Sequence, residues 1–201
     1  MKNLILTIAL VLVSFSYAHT QEFSLGPTIG LNNSWISDLP GETEGLLGLN
    51  AGLTLVYSTE EHLGFGIDLK YSGEGAVSKL RGVTAESRLN YVRIPLKFIY
   101  FFNKFGDDFR PKIYAGPSFG LLAGGKTELF SGDGTVKVDS KEVYEDFDLG
   151  LTFGTGFNYR LAPRTWLNVD LAYGHGFTDI VKTGEGYNRN INFNVGVAWG
   201  L

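Results

Sequence analysis

The sequence has no cysteine, only six prolines and no excess of basic residues. The absence of cysteine excludes disulfide bonds, thiolate metal sites, cysteine nucleophiles and a lipid-modified N-terminal cysteine. The net charge of −4 gives no basic surface for nucleic acid. Glycine is frequent, at 27 of 201 residues, but it lacks the proline that accompanies it in collagenous or disordered chains. The length fits one domain or at most two small ones.

Residues 1–18 have the pattern of a secretory signal peptide. Lys2 supplies a positive start, and residues 4–13 form an apolar run that a single threonine interrupts. Small residues then precede a cleavage point after Ala18, or after Thr20. A transmembrane anchor is the weaker alternative, because the run is too short to cross ~30 Å of hydrocarbon as a helix. We therefore predict export through a Sec signal peptide.

The predicted mature domain, residues 19–201, alternates apolar and polar residues with a period of two, which is typical of strands with one apolar face. Eight segments show this pattern: 23–32, 48–58, 63–72, 90–101, 112–123, 147–159, 165–175 and 190–201. Long polar connections, at 33–47, 73–89, 124–146 and 176–189, alternate with shorter ones. This order is typical of an outer-membrane barrel whose short turns face the periplasm. A turn signal at 131–135 indicates that the fifth and sixth strands extend beyond the membrane as a hairpin.

The two faces of the predicted strands differ in a way that indicates which one meets lipid. The polar face consists mostly of glycine, asparagine and threonine, which suit the crowded interior of an eight-stranded barrel. Aromatic residues of the apolar face lie near strand ends, as in the girdles at membrane–water boundaries. The predicted girdle residues are Tyr57, Tyr71, Tyr100, Tyr159, Tyr173 and Trp199. We predict an all-β, eight-stranded antiparallel up-and-down transmembrane β-barrel; a soluble lipocalin-like carrier with an apolar interior is the alternative.

Charged residues on the predicted inward face should form a polar network inside the barrel. The six charges are Asp68, Lys70, Arg93, Lys97, Asp148 and Asp170. Three acids balance three bases, and buried charges need partners, so we expect ion pairs supported by Tyr91, Tyr114, Asn168 and Asn194. Such a network can be a structural plug or can line a narrow, low-conductance channel. The small circumference favours the plug.

The predicted surface loops are the main basis for the functional hypothesis. Their summed charge is negative, which is typical of solvated loops and also suits binding of a basic partner. His175 lies four residues from Asp179, but no nucleophile accompanies them, so we predict a non-enzyme without catalytic, cofactor or metal sites. The leading hypothesis is an integral outer-membrane protein with a structural or partner-binding role through its loops. The expected partners are outer-membrane lipid, the barrel assembly machinery and a protein at the extracellular loops.

Two segments resemble a known family. Residues 91–98 read Tyr-Val-Arg-Ile-Pro-Leu-Lys-Phe, and residues 111–120 contain Ala-Gly-Pro. They resemble bacterial outer-membrane β-barrel proteins labelled PorT-like or porin family. The resemblance implies an eight-stranded membrane barrel, some of whose relatives are linked to protein secretion, and it transfers no site residues. Pro95 and Pro117 fall in mid-strand and cannot donate to a ladder, so we expect an irregularity where the fourth and fifth strands pair.

Overall fold

The computed structural model describes residues 23–59, 61–132 and 134–201, most of which lie in β-strands. The strands are β1 (Phe23–Ser37), β2 (Glu42–Ser58), β3 (Leu63–Leu80), β4 (Val83–Phe101), β5 (Phe109–Ser131), β6 (Gly134–Asp139), β7 (Phe147–Ala162), β8 (Thr165–Gly176) and β9 (Tyr187–Gly200), and a short helix, α1 (Ser140–Val143), follows β6. Among the described residues, no helix has the length and apolar character to cross a membrane. The predicted signal peptide, residues 1–18, lies outside the described residues and stays a prediction.

Eight of the strands form a closed antiparallel ring. Each of β1 to β4 pairs with the next strand, β5 pairs with β7, and β9 returns to pair with β1. Among the described strands, β6 pairs with β5 alone and lies outside the ring. Closure supplies every ring strand with two neighbours, as a structure in hydrocarbon requires. The predicted eight-stranded antiparallel barrel is therefore confirmed.

The strands are longer than the sequence pattern indicated, so the first two predicted long loops are wrong in extent. Strands β1 and β2 continue to a turn at residues 38–41, and β3 and β4 continue to a turn at residues 81–82. The predicted hairpin at 131–135 exists, but β5 forms it with the additional strand β6 and not with the next ring strand. These extensions carry polar residues on both faces, so the apolar alternation that identified the lower segments is lost there.

The expected irregularity at the two prolines is an interruption of the ladder, because the paired residues stop at Pro95 with Ser118 and resume at Phe98 with Ala115. Strands β4 and β5 keep a single register across Pro95 and Pro117. A proline removes one donor, but its fixed φ is compatible with an extended strand, so the ladder resumes in the same register without a bulge. The register instead shifts between Asn90 and Tyr91, higher in the barrel.

The apolar side chains of the ring form an exposed band around its outside. On β3 the band runs from Leu63, which is 57% exposed, to Tyr71, which is 53% exposed. The eight steps from Leu63 to Tyr71 span about 26 Å. A strand tilted by about 40° then gives a height of ~20 Å, near the ~25 Å of outer-membrane barrels. Strand β3 continues past Tyr71 to Leu80, so the end of the ring with the long hairpins stands well above the band. We call this the upper end and the end with the short turns the lower end.

Candidate functional site

A buried ion cluster crosses the upper part of the barrel interior. Arg93 on β4 donates through Nε and Nη2 to the two carboxylate oxygens of Glu74 on β3, at 2.8 and 2.6 Å. Its Nη2 also donates to Asp148 on β7 at 2.6 Å. The side chain of Asn188 on β9 donates to Glu74 at 2.5 Å, and the hydroxyl of Thr178 donates to Asp148 at 3.2 Å. This upper ion cluster holds one cation between two carboxylates and links four strands.

A second buried cluster, the lower ion cluster, lies closer to the short turns. Asp68 accepts from Lys97 at 2.6 Å and from Lys70 at 2.9 Å. Lys112 on β5 contacts Asp170 on β8 at 2.9 Å. Three lysines therefore face two aspartates, which gives a net charge of +1 against −1 in the upper cluster, so the charges of the two clusters balance.

A polar cavity of about 60 Å³ is lined by residues of both ion clusters. Asparagines on β9 complete its wall, and the side-chain oxygen of Asn194 is buried without a hydrogen-bond partner. The interior is thus mostly filled by side chains, as expected for a ring of eight strands.

The upper end of this polar interior is covered by apolar side chains. The upper apolar cluster consists of Ile36, Ala76, Leu89, Tyr91, Leu122, Tyr144 and Ile180. Tyr144 follows α1, and its hydroxyl donates to Ser87 at 2.7 Å. Burial raises the pKa of Tyr144 above its ordinary value, although the bond to Ser87 acts in the opposite direction. Two backbone hydrogen bonds, Glu145 to Ile180 and Lys182 to Val143, hold the two covering segments together.

The lower end is covered in the same way. The lower apolar cluster consists of Val56, Ile99, Phe101, Tyr114 and Ala172. The guanidinium of Arg110 stacks on Phe101, with its carbon 3.7 Å from the ring centroid, and lies 5.4 Å from the ring of Phe105. Ile99 and Phe101 follow Lys97 toward the lower end of β4, whereas Tyr114 and Ala172 lie at the height of the lower ion cluster.

All six charges predicted for the interior lie in the two ion clusters. Sequence reasoning missed Glu74, which it assigned to a loop, and Lys112. Both could have been found from the alternation of inward and outward residues along a strand. Lys112 is two residues from the inward Tyr114, and Glu74 is four residues from the inward Lys70. Of the expected supporting groups, Tyr91 and Tyr114 lie under cations: the carbon of Arg93 is 4.6 Å and the nitrogen of Lys97 is 5.2 Å from the respective ring centroids. Asn168 and Asn194 instead have buried side-chain oxygens without partners.

The predicted girdle residues lie on the outward face. Tyr100, Tyr159 and Trp199 are between 43% and 49% exposed near the lower end. Tyr57 is less exposed and packs on Phe23, with ring centroids 4.8 Å apart. Tyr71 and Tyr173 lie at the upper edge of the apolar band. Tyr71 is in the middle of β3, because that strand continues above the band. Contact of these six side chains with lipid stays a prediction.

The described residues assemble no catalytic or metal-binding group around His175. Its Nδ1 lies 3.3 Å from the Tyr173 hydroxyl, while the carboxylate of Asp179 accepts from the backbone N–H groups of Val181 and Gly186. The described part of the chain also brings together no three histidines or carboxylates able to hold a metal ion. His175 and Asp179 thus do not act as a pair.

A closed eight-stranded ring with an outward apolar band and a charged, side-chain-filled interior defines an outer-membrane β-barrel protein. The sequence profile of the family described as "Outer membrane protein beta-barrel domain" matches residues 15–182. The chain belongs to this family. Its upper end is accordingly the extracellular end and its lower end the periplasmic end. The soluble carrier alternative is wrong, and the narrower PorT-like name is not confirmed.

Solved structures show the same fold at low sequence identity. The Neisserial surface protein A is 16% identical, with a TM-score of 0.56 over 89% of this chain and 97% of that one. The outer membrane protein OprG from Pseudomonas aeruginosa is 12% identical, with a TM-score of 0.56 over 89% of this chain and 95% of that one. A comparison with curated proteins gives no match. These likenesses establish the barrel and leave its role to be argued from its own residues.

Proposed function

We propose that this protein is a non-conducting outer-membrane barrel that presents its extracellular hairpins to a protein partner. The main supporting observation is that a buried apolar cluster lies toward each end of the polar interior. A hydrated ion would have to pass both apolar layers and separate the ion pairs between them. That path is costly, because each buried charge would lose its partner.

The extracellular extension of the barrel supports the partner-binding part of the proposal. Strand β6 has β5 on one side only, so its other edge offers unpaired N–H and C=O groups. Val136 on this strand is 60% exposed. A free edge of this kind can bind an extended peptide segment by adding a strand to the sheet. The barrel assembly machinery is the expected partner for insertion and is separate from this surface.

A narrow channel is the second candidate, and the cavity between the ion clusters favours it. Opening it would require both apolar clusters to move aside. The channel and the non-conducting barrel therefore predict opposite electrical behaviour for the folded protein.

The test is single-channel conductance of the refolded mature chain in a planar bilayer. Folding is checked first by the shift in gel mobility that heating causes in intact barrels. We expect inserted, folded protein to give no steady openings. Charge-selective openings that change when Arg93 and Lys97 are replaced would overturn the proposal and establish the channel.

A further inference from the structure

A cation lies among aromatic side chains on the outward face, where the apolar band meets the extracellular extension. Arg189 on β9 pairs in register with Trp35 on β1 and with His175 on β8. One step lower, Ile191 pairs with Tyr173 and with Asn33. Because Ile191 is still part of the exposed apolar band while Asn33 is polar, Arg189 lies at the border between hydrocarbon and headgroups.

The aromatic neighbours of Arg189 form a continuous row. The ring centroids of Trp35 and Tyr173 are 6.4 Å apart, and those of His175 and Phe177 are 5.3 Å apart. Tyr173 and His175 connect the two pairs, with centroids 6.1 Å apart. Amphipathic rings at this height are typical of the level of lipid headgroups. We call these four aromatic residues and Arg189 the rim site.

Arg189 has no carboxylate partner within the described part of the chain. Its Nη1 donates to the backbone carbonyls of Gly176 and Asn188, at 2.7 and 3.0 Å. Oδ1 of Asp179 accepts from the backbone N–H groups of Val181 and Gly186. Arg88, another outward arginine above the band, is instead paired with Glu86 at 2.6 Å. The guanidinium of Arg189 is thus held by neutral carbonyls and lies 5.7 Å from the ring centroid of Tyr187, with no anionic partner among the described residues.

We propose that the rim site binds the phosphate group of an anionic lipid in the outer leaflet. A guanidinium matches the geometry of phosphate with two parallel N–H donors, and the Nε and Nη2 of Arg189 are not used by its backbone contacts. The Tyr173 hydroxyl and the His175 ring are further hydrogen-bonding groups in the row. Below them, Ile191 and Phe193 are 45% and 48% exposed and give an apolar surface for the acyl chains. This site is independent of the partner surface on β6.

The experiment uses Trp35 as a reporter of the lipid that contacts the rim site. The full mature chain carries Trp166→Phe and Trp199→Phe, which leave Trp35 as the single tryptophan. It is refolded into dilauroyl phosphatidylcholine vesicles that contain a small fraction of either brominated phosphatidic acid or brominated phosphatidylcholine. Bromine quenches tryptophan on contact, so the ratio of the two quenching strengths measures selectivity for the anionic headgroup.

We expect brominated phosphatidic acid to quench Trp35 more strongly than brominated phosphatidylcholine does. Arg189→Gln should reduce this selectivity about fivefold, which is the contribution of one cation to binding at an anionic membrane surface. Arg189→Lys should retain only part of it, because lysine keeps the charge but loses the two parallel N–H donors. The matched control, Arg88→Gln, removes the same charge from an arginine that already has a carboxylate partner, and should leave the selectivity unchanged.

Equal quenching by the two lipids in the parent chain would overturn the proposal, and so would an equal loss in Arg88→Gln and Arg189→Gln. Selectivity abolished by added inorganic phosphate would assign the site to the free anion and reject the lipid. If Arg189→Gln does not refold, Arg189→Lys and the parent chain still give the comparison.

Discussion

At the scale of single residues, Arg93 is the side chain on which the interior depends most. It is the only cation of the upper ion cluster and contacts both of its carboxylates. Those carboxylates are almost fully buried, so neither can exchange Arg93 for water. Removing one member of a buried pair is costly because the remaining charge stays buried without a partner.

We predict that Arg93→Gln lowers the free energy of unfolding by about 3–5 kcal/mol. The exposed pair of Arg88 and Glu86 provides the control, and Arg88→Gln should cost about 0–1 kcal/mol. Urea unfolding in lipid vesicles, followed by the heat-dependent shift in gel mobility, measures both. The double change Arg93→Gln with Glu74→Gln restores the cluster's net charge of −1 and should recover part of the loss. Equal effects of the two single changes would contradict a buried cluster.

The residues of the interior show what sequence reasoning can and cannot reach. Alternation identified Asp68 and Arg93 as inward because apolar outward neighbours flank them. Glu74 follows a glycine and lies where the outward residues are no longer apolar, so no periodic signal surrounds it. The partners of the ion pairs could not be predicted from the sequence either. Nothing in it specifies that Asp148, rather than Asp170, is the partner of Arg93.

At the scale of elements, the same physics explains which parts of the strands were predicted. Within the membrane, lipid outside and a polar interior impose opposite requirements on the two faces, and the sequence records them as a period of two. Above the membrane, water contacts the outer face, and this requirement disappears. The upper parts of β3 and β4 therefore resemble polar loops in sequence, although they pair regularly up to the contact of Leu80 with Val83.

Strand β6 is predicted to be dispensable for assembly of the barrel. We expect replacement of residues 134–138 by a flexible Gly-Ser segment of equal length to preserve the heat-dependent gel shift and most of the stability. The reason is that β6 pairs only with β5, and β5 keeps β4 and β7 as neighbours in the ring. Asp139 is retained because its carboxylate caps α1.

The matched control places a Gly-Ser segment of the same length at residues 167–171 of β8, a ring strand paired on both sides. This variant should fail to give the folded gel band. Loss of the folded band in the β6 variant as well would contradict a separate hairpin and would make β6 part of the folding unit.

At the scale of the whole molecule, the closed ring and its two apolar clusters act together. The ring supplies each of its strands with two neighbours, and in the proposed function the two apolar clusters close the interior toward the two aqueous sides. If each apolar cluster is a barrier to ions, weakening one cluster leaves the other in place. The charged side chains of the ion clusters then stay paired and shielded from water.

We therefore predict that conductance requires changes at both ends. Phe101→Ala removes a fully buried aromatic ring from the lower apolar cluster, and Ile180→Ala weakens the upper one. Each single variant, once shown to be folded by its gel shift, should remain silent in a planar bilayer, because the opposite cluster still excludes water. The double variant should show small, steady openings. Conductance in one single variant would identify that cluster as the sole barrier. A folded double variant without conductance would contradict this prediction. It would show that the ion pairs of the two clusters block the passage of ions even when both apolar clusters are weakened.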